Sequence, residues 1–147
     1  MPFFTLQVSP AGPIVEAFVG VSAGRMAALQ QLQQTVPAPQ HIRALLDTGA
    51  SHTCIDPMVL QALALQPTGQ VQVHTPTTGG TPAVCNQYDI GLLIPAPNGL
   101  PFSVPTTAVT EHELFNAQGF HALIGRDVIS RCVLIYNGQL NLFTLAY

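Results

Sequence analysis

The feature that most constrains the fold is Ala44-Leu45-Leu46-Asp47-Thr48-Gly49, where an apolar run stops abruptly at a carboxylate. The apolar residues suit a strand buried on both faces. Asp47-Thr48-Gly49 is turn chemistry: a short acceptor side chain, a hydroxyl, then a residue free to take positive φ. Such a turn lifts one carboxylate out of a core and into a cleft. The tripeptide alone arises by chance in roughly a few per cent of chains this long, so the flanks carry the argument. Small residues, Ala50-Ser51, follow the turn and let another chain approach closely.

A length of 147 residues predicts one domain, spanning 1–147, with a core that needs no disulfide or metal. Only 7% of residues are charged and 48% are hydrophobic, so apolar surface is expected to be covered by a partner. There is no lysine, the four arginines are scattered and the net charge is −3, which argues against nucleic acid as a ligand. Cys54, Cys85 and Cys132 lack the paired spacing of a zinc site or a disulfide framework and read as free thiols in a reducing compartment. Ile14 to Ala23 is too short to span a membrane and carries Glu16, and Met1-Pro2-Phe3-Phe4 has no basic region. The expected location is the cytoplasm, with no membrane partner and no cofactor.

Phe3 to Val8 and Ile14 to Val21 alternate around Ser9-Pro10-Ala11-Gly12-Pro13, predicting a β-hairpin. Met26 to Gln34 has helical spacing and stops before Pro37, predicting a helical segment within 24–40. Thr53-Cys54-Ile55 reads as a short strand, then Asp56 caps a helix with Pro57 first, running through Leu63. Val71 to Pro76 and Val84 to Ile94 form two arms of a hairpin over 71–94, with Thr77-Thr78-Gly79-Gly80-Thr81-Pro82 at its tip. Leu100 to Val109 is another strand after Pro97-Asn98-Gly99, and Glu111 to Gly119 a polar loop or loose helical turn. Asn137-Gly138 joins a last pair of strands, Val133 to Tyr136 and Leu140 to Ala146.

Three pieces stand in order: Asp47-Thr48-Gly49; Gly79-Gly80 with Gln87-Tyr88-Asp89-Ile90 after it; and Leu123-Ile124-Gly125-Arg126-Asp127. Together they resemble the active-site motif, flap, and hydrophobic-hydrophobic-Gly loop of retropepsin-like aspartic proteases and their bacterial relatives. The resemblance covers Asp47 to about Ile135 well and the first forty residues poorly. It implies a mainly β, acid-protease barrel with a flap hairpin, one or two short helices and the 24–40 segment as a helical insertion. It further implies an aspartic endopeptidase cutting extended peptides with apolar side chains at the scissile bond. Asp47 would be catalytic, with Thr48 and Gly49 supporting the loop. Gly49, Ala50, Ser51, Thr78, Gly79, Gly80, Leu123 and Ile124 would meet substrate, and Gly125, Arg126 and Asp127 would be structural. No second Asp-Thr-Gly or Asp-Ser-Gly exists, so the partner carboxylate would be Asp47 of a second copy, making the expected partners a homodimer mate and a peptide.

One departure stands out. Many retroviral enzymes have an acidic residue two positions after the catalytic glycine, pairing with the arginine of the last motif; here that position is Ser51. Either Asp127 substitutes or Arg126 bonds backbone carbonyls. Three other chemistries fit less well. Ser51-His52 beside Asp47 are neighbours on one turn, whereas triad members converge from separate segments. Cys85 with His74 has the neighbours of an ordinary strand cysteine. His112, Glu113 and His121 lack zinc-protease spacing. Two further functions compete with the enzyme: a silent peptide-binding or dimerisation module of the same fold, and a structural domain that dimerises through apolar surface.

Overall fold

The computed structural model describes residues 1–74, 79–97 and 99–147. Thr77, Thr78 and Asn98, which the sequence assigns to turns, lie outside them, as does the substrate contact expected of Thr78. Among the described residues there are ten strands, β1 (Phe3–Gln7), β2 (Ile14–Val21), β3 (Gln40–Leu46), β4 (Cys54–Ile55), β5 (Gly69–Val73), β6 (Ala83–Ile94), β7 (Phe102–Glu111), β8 (Ala122–Ile124), β9 (Val133–Asn137) and β10 (Leu142–Ala146), and four helices, α1 (Ala23–Gln31), α2 (Pro57–Ala62), α3 (Phe115–Gln118) and α4 (Arg126–Ile129).

The larger sheet runs β2-β3-β8-β4-β7-β6-β5, and β2 also pairs with β6, so six strands close into a barrel with β5 outside the ring. Closure occurs where Gly20 faces Gly91. A Cβ on Gly91 would sit 3.0 Å from the Val21 carbonyl oxygen, so the missing side chain permits the close crossing. Opposite Gly91 the β6–β7 register shifts, and Pro105 falls in this bulge, where a missing N–H costs no ladder bond. Val15, Ala17, Val19, Ile42, Ala44, Ile90, Leu92, Val104 and Ile124 fill the barrel. Strand β3 alternates: Ile42, Ala44 and Leu46 are buried, whereas His41 and Arg43 face solvent and Leu45 is half-buried. The expected burial on both faces is therefore true only near Leu45, which abuts Gly12.

The smaller sheet is β1-β10-β9, antiparallel throughout. The expected hairpin between the first two strands is corrected here: β1 pairs with β10 and β2 with β3 and β6. Only a single bridge, Ser9 with Gly12, joins the two runs, because the Pro-flanked turn redirects the chain from one sheet to the other. One face of this sheet, with Phe4, Phe143 and Leu145, completes the core. The opposite face carries exposed Phe3, Val133 and Ile135. At the β9–β10 turn Asn137 stays in strand pairing with Leu142, and its side chain accepts from the Leu140 N–H at 3.1 Å. The loop is thus longer than the two-residue turn the Asn-Gly pair suggested.

Helix α1 starts three residues before the expected Met26, capped by Ser22, whose hydroxyl accepts from the Arg25 N–H at 3.3 Å. Helix α2 is as expected, with Asp56 as cap and Pro57 at its start. The Asp56 carboxylate does more than cap. Oδ1 accepts from Met58 N–H (3.0 Å), and Oδ2 from the N–H groups of Leu114 and Phe115 (both 2.9 Å), tying α2 to the segment before α3. Burial alone would raise the Asp56 carboxyl, but the N–H donors of Phe115, Leu114 and Met58 outweigh it and hold it below the usual carboxylate value. A depressed native value means stability that is present above about pH 4, the unfolded-state value, and is lost as pH falls through the native one. Asp56→Ala is expected to cost about 2–4 kcal/mol at neutral pH. Urea titrations at several pH values should show that gap closing below about pH 4; a gap that persists at pH 2 would contradict the assignment.

Candidate active site

Strands β3 and β8 run parallel, Leu46 beside Ile124, and the ladder continues one step as Asp47 N–H donates to the Ile124 carbonyl at 2.9 Å. There the strand ends and the chain turns. Gly49 N–H donates to Asp47 Oδ1 at 2.8 Å, and Ala50 N–H to the Asp47 carbonyl at 3.2 Å. Asp47 is half-buried, and among the described residues its Oδ2 has no hydrogen-bond partner. The turn therefore fixes one carboxylate oxygen and presents the other.

The turn is held from behind by the segment after β8. Arg126 Nη1 donates to the carbonyls of Thr48 (2.8 Å) and Gly49 (3.2 Å), and Arg126 N–H to that of Ala50 (2.9 Å). Of the two roles the sequence left open for Arg126, the backbone one is observed. Asp127 is occupied elsewhere: its oxygens accept from Thr53 N–H (2.9 Å), Thr53 Oγ1 (2.8 Å) and Val128 N–H (3.0 Å). The fully buried Thr53 hydroxyl donates to Asp127 and accepts from Gly125 N–H at 3.0 Å. Gly125 lies so close to His52 that a Cβ would come within 2.6 Å of its carbonyl carbon. Gly125, Arg126 and Asp127 thus brace the turn together with Thr53, which nothing local in the sequence singles out.

Asp47 borders a cavity of about 430 Å³. Of the residues assigned to substrate from the sequence, Gly49, Ala50, Ser51 and Leu123 line it. Ile124 does not: alternation along β8 turns it into the barrel core, fully buried, where it backs the cleft. Gly79 and Gly80 sit in a turn with φ of +59° and +88° and lie outside the cavity lining. The β5–β6 hairpin nevertheless borders the cavity, through Val73, His74 and Cys85. Thr48 is exposed, and among the described residues its hydroxyl has no partner.

Competing chemistries find little support in this geometry. Ser51 Oγ lies 3.0 Å from His52 Nδ1, but both are exposed on one turn. The Cys54 thiol also lines the cavity; burial, with a smaller push from the Asp47 charge, raises it to about 11, so it is not a thiolate at neutral pH. Among the described residues no three His, Cys, Asp or Glu side chains are placed to hold a metal. No helix among them is long and apolar enough to cross a membrane.

A family model described as aspartyl protease matches residues 35–92, which run from before β3, through the Asp47 turn, into β6. No curated protein matches the sequence. Among solved structures, a retropepsin-like aspartic protease from Rickettsia conorii is similar in fold, with TM-score 0.57 and 16% identity over 99% of this chain and 91% of that one. The fold is retropepsin-like. The aspartyl-protease model matches the part of the chain that holds the Asp47 turn, and the solved structure shares its architecture. The Asp47 turn and the Leu123-Ile124-Gly125 segment of this retropepsin-like fold meet at one end of the closed barrel, which is how residues far apart in sequence come to share one cleft.

Proposed function

We propose that the chain is an aspartic endopeptidase active as a homodimer, cutting extended peptides with a water held between Asp47 of each copy. The observation that carries this reading is the fixed Asp47 turn, with one oxygen bonded and the other presented to a cavity bordered by a hairpin. Aspartic proteolysis needs two carboxylates sharing one proton: one takes a proton from the attacking water, the other protonates the carbonyl oxygen. Glu111, the other carboxylate bordering the cavity, has both oxygens engaged by Asn86 and Tyr88. Asp47 then finds its counterpart in a second copy across a two-fold axis. Retropepsin-like proteins are typically dimeric and act on peptides. The exposed Phe3, Val133 and Ile135 supply apolar surface of the kind a second copy covers.

The remaining roles belong to the same proposal. Thr48, whose hydroxyl has no partner among the described residues, braces the two turns against one another. Gly49 offers its backbone to an extended substrate, and Ala50, Ser51 and Leu123 form the walls. The β5–β6 hairpin acts as the flap, with Gly79 and Gly80 near its tip supplying backbone freedom for closure over the peptide. Strand-like pairing holds the main chain and apolar walls favour apolar side chains at the cut. The 24–40 segment packs as an insertion on this domain of 1–147.

The test is digestion of a mixed peptide library by wild type and Asp47→Asn from acid to neutral pH, with cut sites read by mass spectrometry. Cleavage by wild type alone, at sites flanked by apolar residues, is the expected result. A folded dimer that cuts nothing at any pH would overturn the enzyme reading in favour of a silent peptide-binding module.

A further inference from the structure

The cavity is not electrostatically neutral. Besides Asp47 its lining includes Glu111, the last residue of β7, half-buried and facing the same space. Glu111 is held in place from β6: Asn86 Nδ2 donates to Oε1 at 2.7 Å and Tyr88 Oη to Oε2 at 2.9 Å. The Asn86 amide is itself oriented, because its Oδ1 accepts from Gln70 Nε2 on β5 at 3.3 Å, turning the NH₂ group toward Glu111. Three strands thus contribute to fixing one carboxylate.

All of these donors are neutral. The ion pairs among the described residues join Glu16 to His41 and Arg43, and none involves this carboxylate. None of the four arginines borders the cavity, and the chain has no lysine. His52, His74 and His112 are the other titratable nitrogen groups on the lining. Each carboxylate oxygen has a second lone pair, so Glu111 keeps acceptor capacity after its two internal bonds. A positioned, partly desolvated carboxylate without a cation of its own is complementary to a cation on the ligand.

We propose that Glu111 is a specificity-determining residue that selects a basic side chain, arginine or lysine, at one position of the bound peptide. The inference rests on the peptide-cutting reading above and refines its substrate class: apolar residues on most walls, one basic residue opposite Glu111. Asn86 and Tyr88 are its positioning residues. Asp47 does the chemistry and Glu111 chooses what is brought to it.

The experiment uses peptides found in the library digest, remade with arginine or its neutral isostere citrulline at each position in turn. Wild type is expected to prefer arginine over citrulline by about tenfold in kcat/KM at one position, and Glu111→Gln to cut the two peptides alike. Equal cutting of the pair at every position, or a preference that survives in Glu111→Gln, would overturn the inference and leave the protease reading intact. A set of labelled peptides, apolar except for arginine or citrulline placed at each position in turn, is also titrated by fluorescence anisotropy onto Asp47→Asn and Asp47→Asn/Glu111→Gln. A Glu111-dependent arginine preference in binding supports the inference even if wild type cuts nothing, and its absence there overturns it. A stability change in Glu111→Gln would move all peptides together and so is separable from selection.

Discussion

Asp47→Asn is expected to lower peptide-bond hydrolysis by roughly 10³-fold or more, with little change in melting temperature. Asparagine keeps the Oδ1 acceptor for Gly49 N–H, so the turn survives, but it cannot take a proton from water. The sharper measurement is titration of Asp47→Asn protein into wild type under conditions that allow subunits to exchange. If each active unit needs an aspartate from both copies, activity follows the square of the wild-type fraction. A linear decline would mean that one chain suffices and that a second copy contributes no carboxylate.

Gly125→Ala should be the most damaging single methyl group in the chain. Its φ of −87° is open to any residue, so the cost is not backbone strain. It is contact: the new Cβ would lie 2.6 Å from the His52 carbonyl carbon and 2.7 Å from its oxygen, and backbone cannot swing aside as a side-chain end can. Separating the two segments stretches the Gly125 N–H bond to Thr53 Oγ1 and drags on the Arg126 bonds to Thr48 and Gly49. The expected loss is about 3 kcal/mol, or roughly 10 °C in melting temperature, with activity falling further because the Asp47 turn moves. Gly24→Ala, in α1 with open space around it, is the control and should stabilise by about 0.5–1 kcal/mol. Unchanged stability and activity in Gly125→Ala would refute the packed brace.

The site was legible where its chemistry is local. Asp47-Thr48-Gly49 forms a turn because of its own side chains, and Asp56-Pro57 starts a helix for the same reason. What escaped was decided by partners distant in sequence. Strand β1 alternates as well as β2 does, yet nothing in its own residues reveals that β10 is its neighbour. Thr53 looks like any strand threonine until Asp127 and Gly125 arrive beside it. Leu123 and Ile124 are equivalent as a pair of apolar residues; only the parity of β8 sends one to the cleft and the other to the core. Glu111 gives no local signal either, since the residues that orient it lie on β6.

The brace on the Asp47 turn joins residues 72 to 78 positions apart. A polypeptide emerging from the ribosome exposes the Asp47 turn early, but with Thr53 unpaired and the Thr48 and Gly49 carbonyls unheld until Gly125, Arg126 and Asp127 follow. Pairing of such distant segments is also slow compared with local structure. For the proposed protease, order of synthesis would therefore work as a safety catch: an unfinished chain carries Asp47 without the brace that holds its turn, and that brace arrives only with the segment after β8.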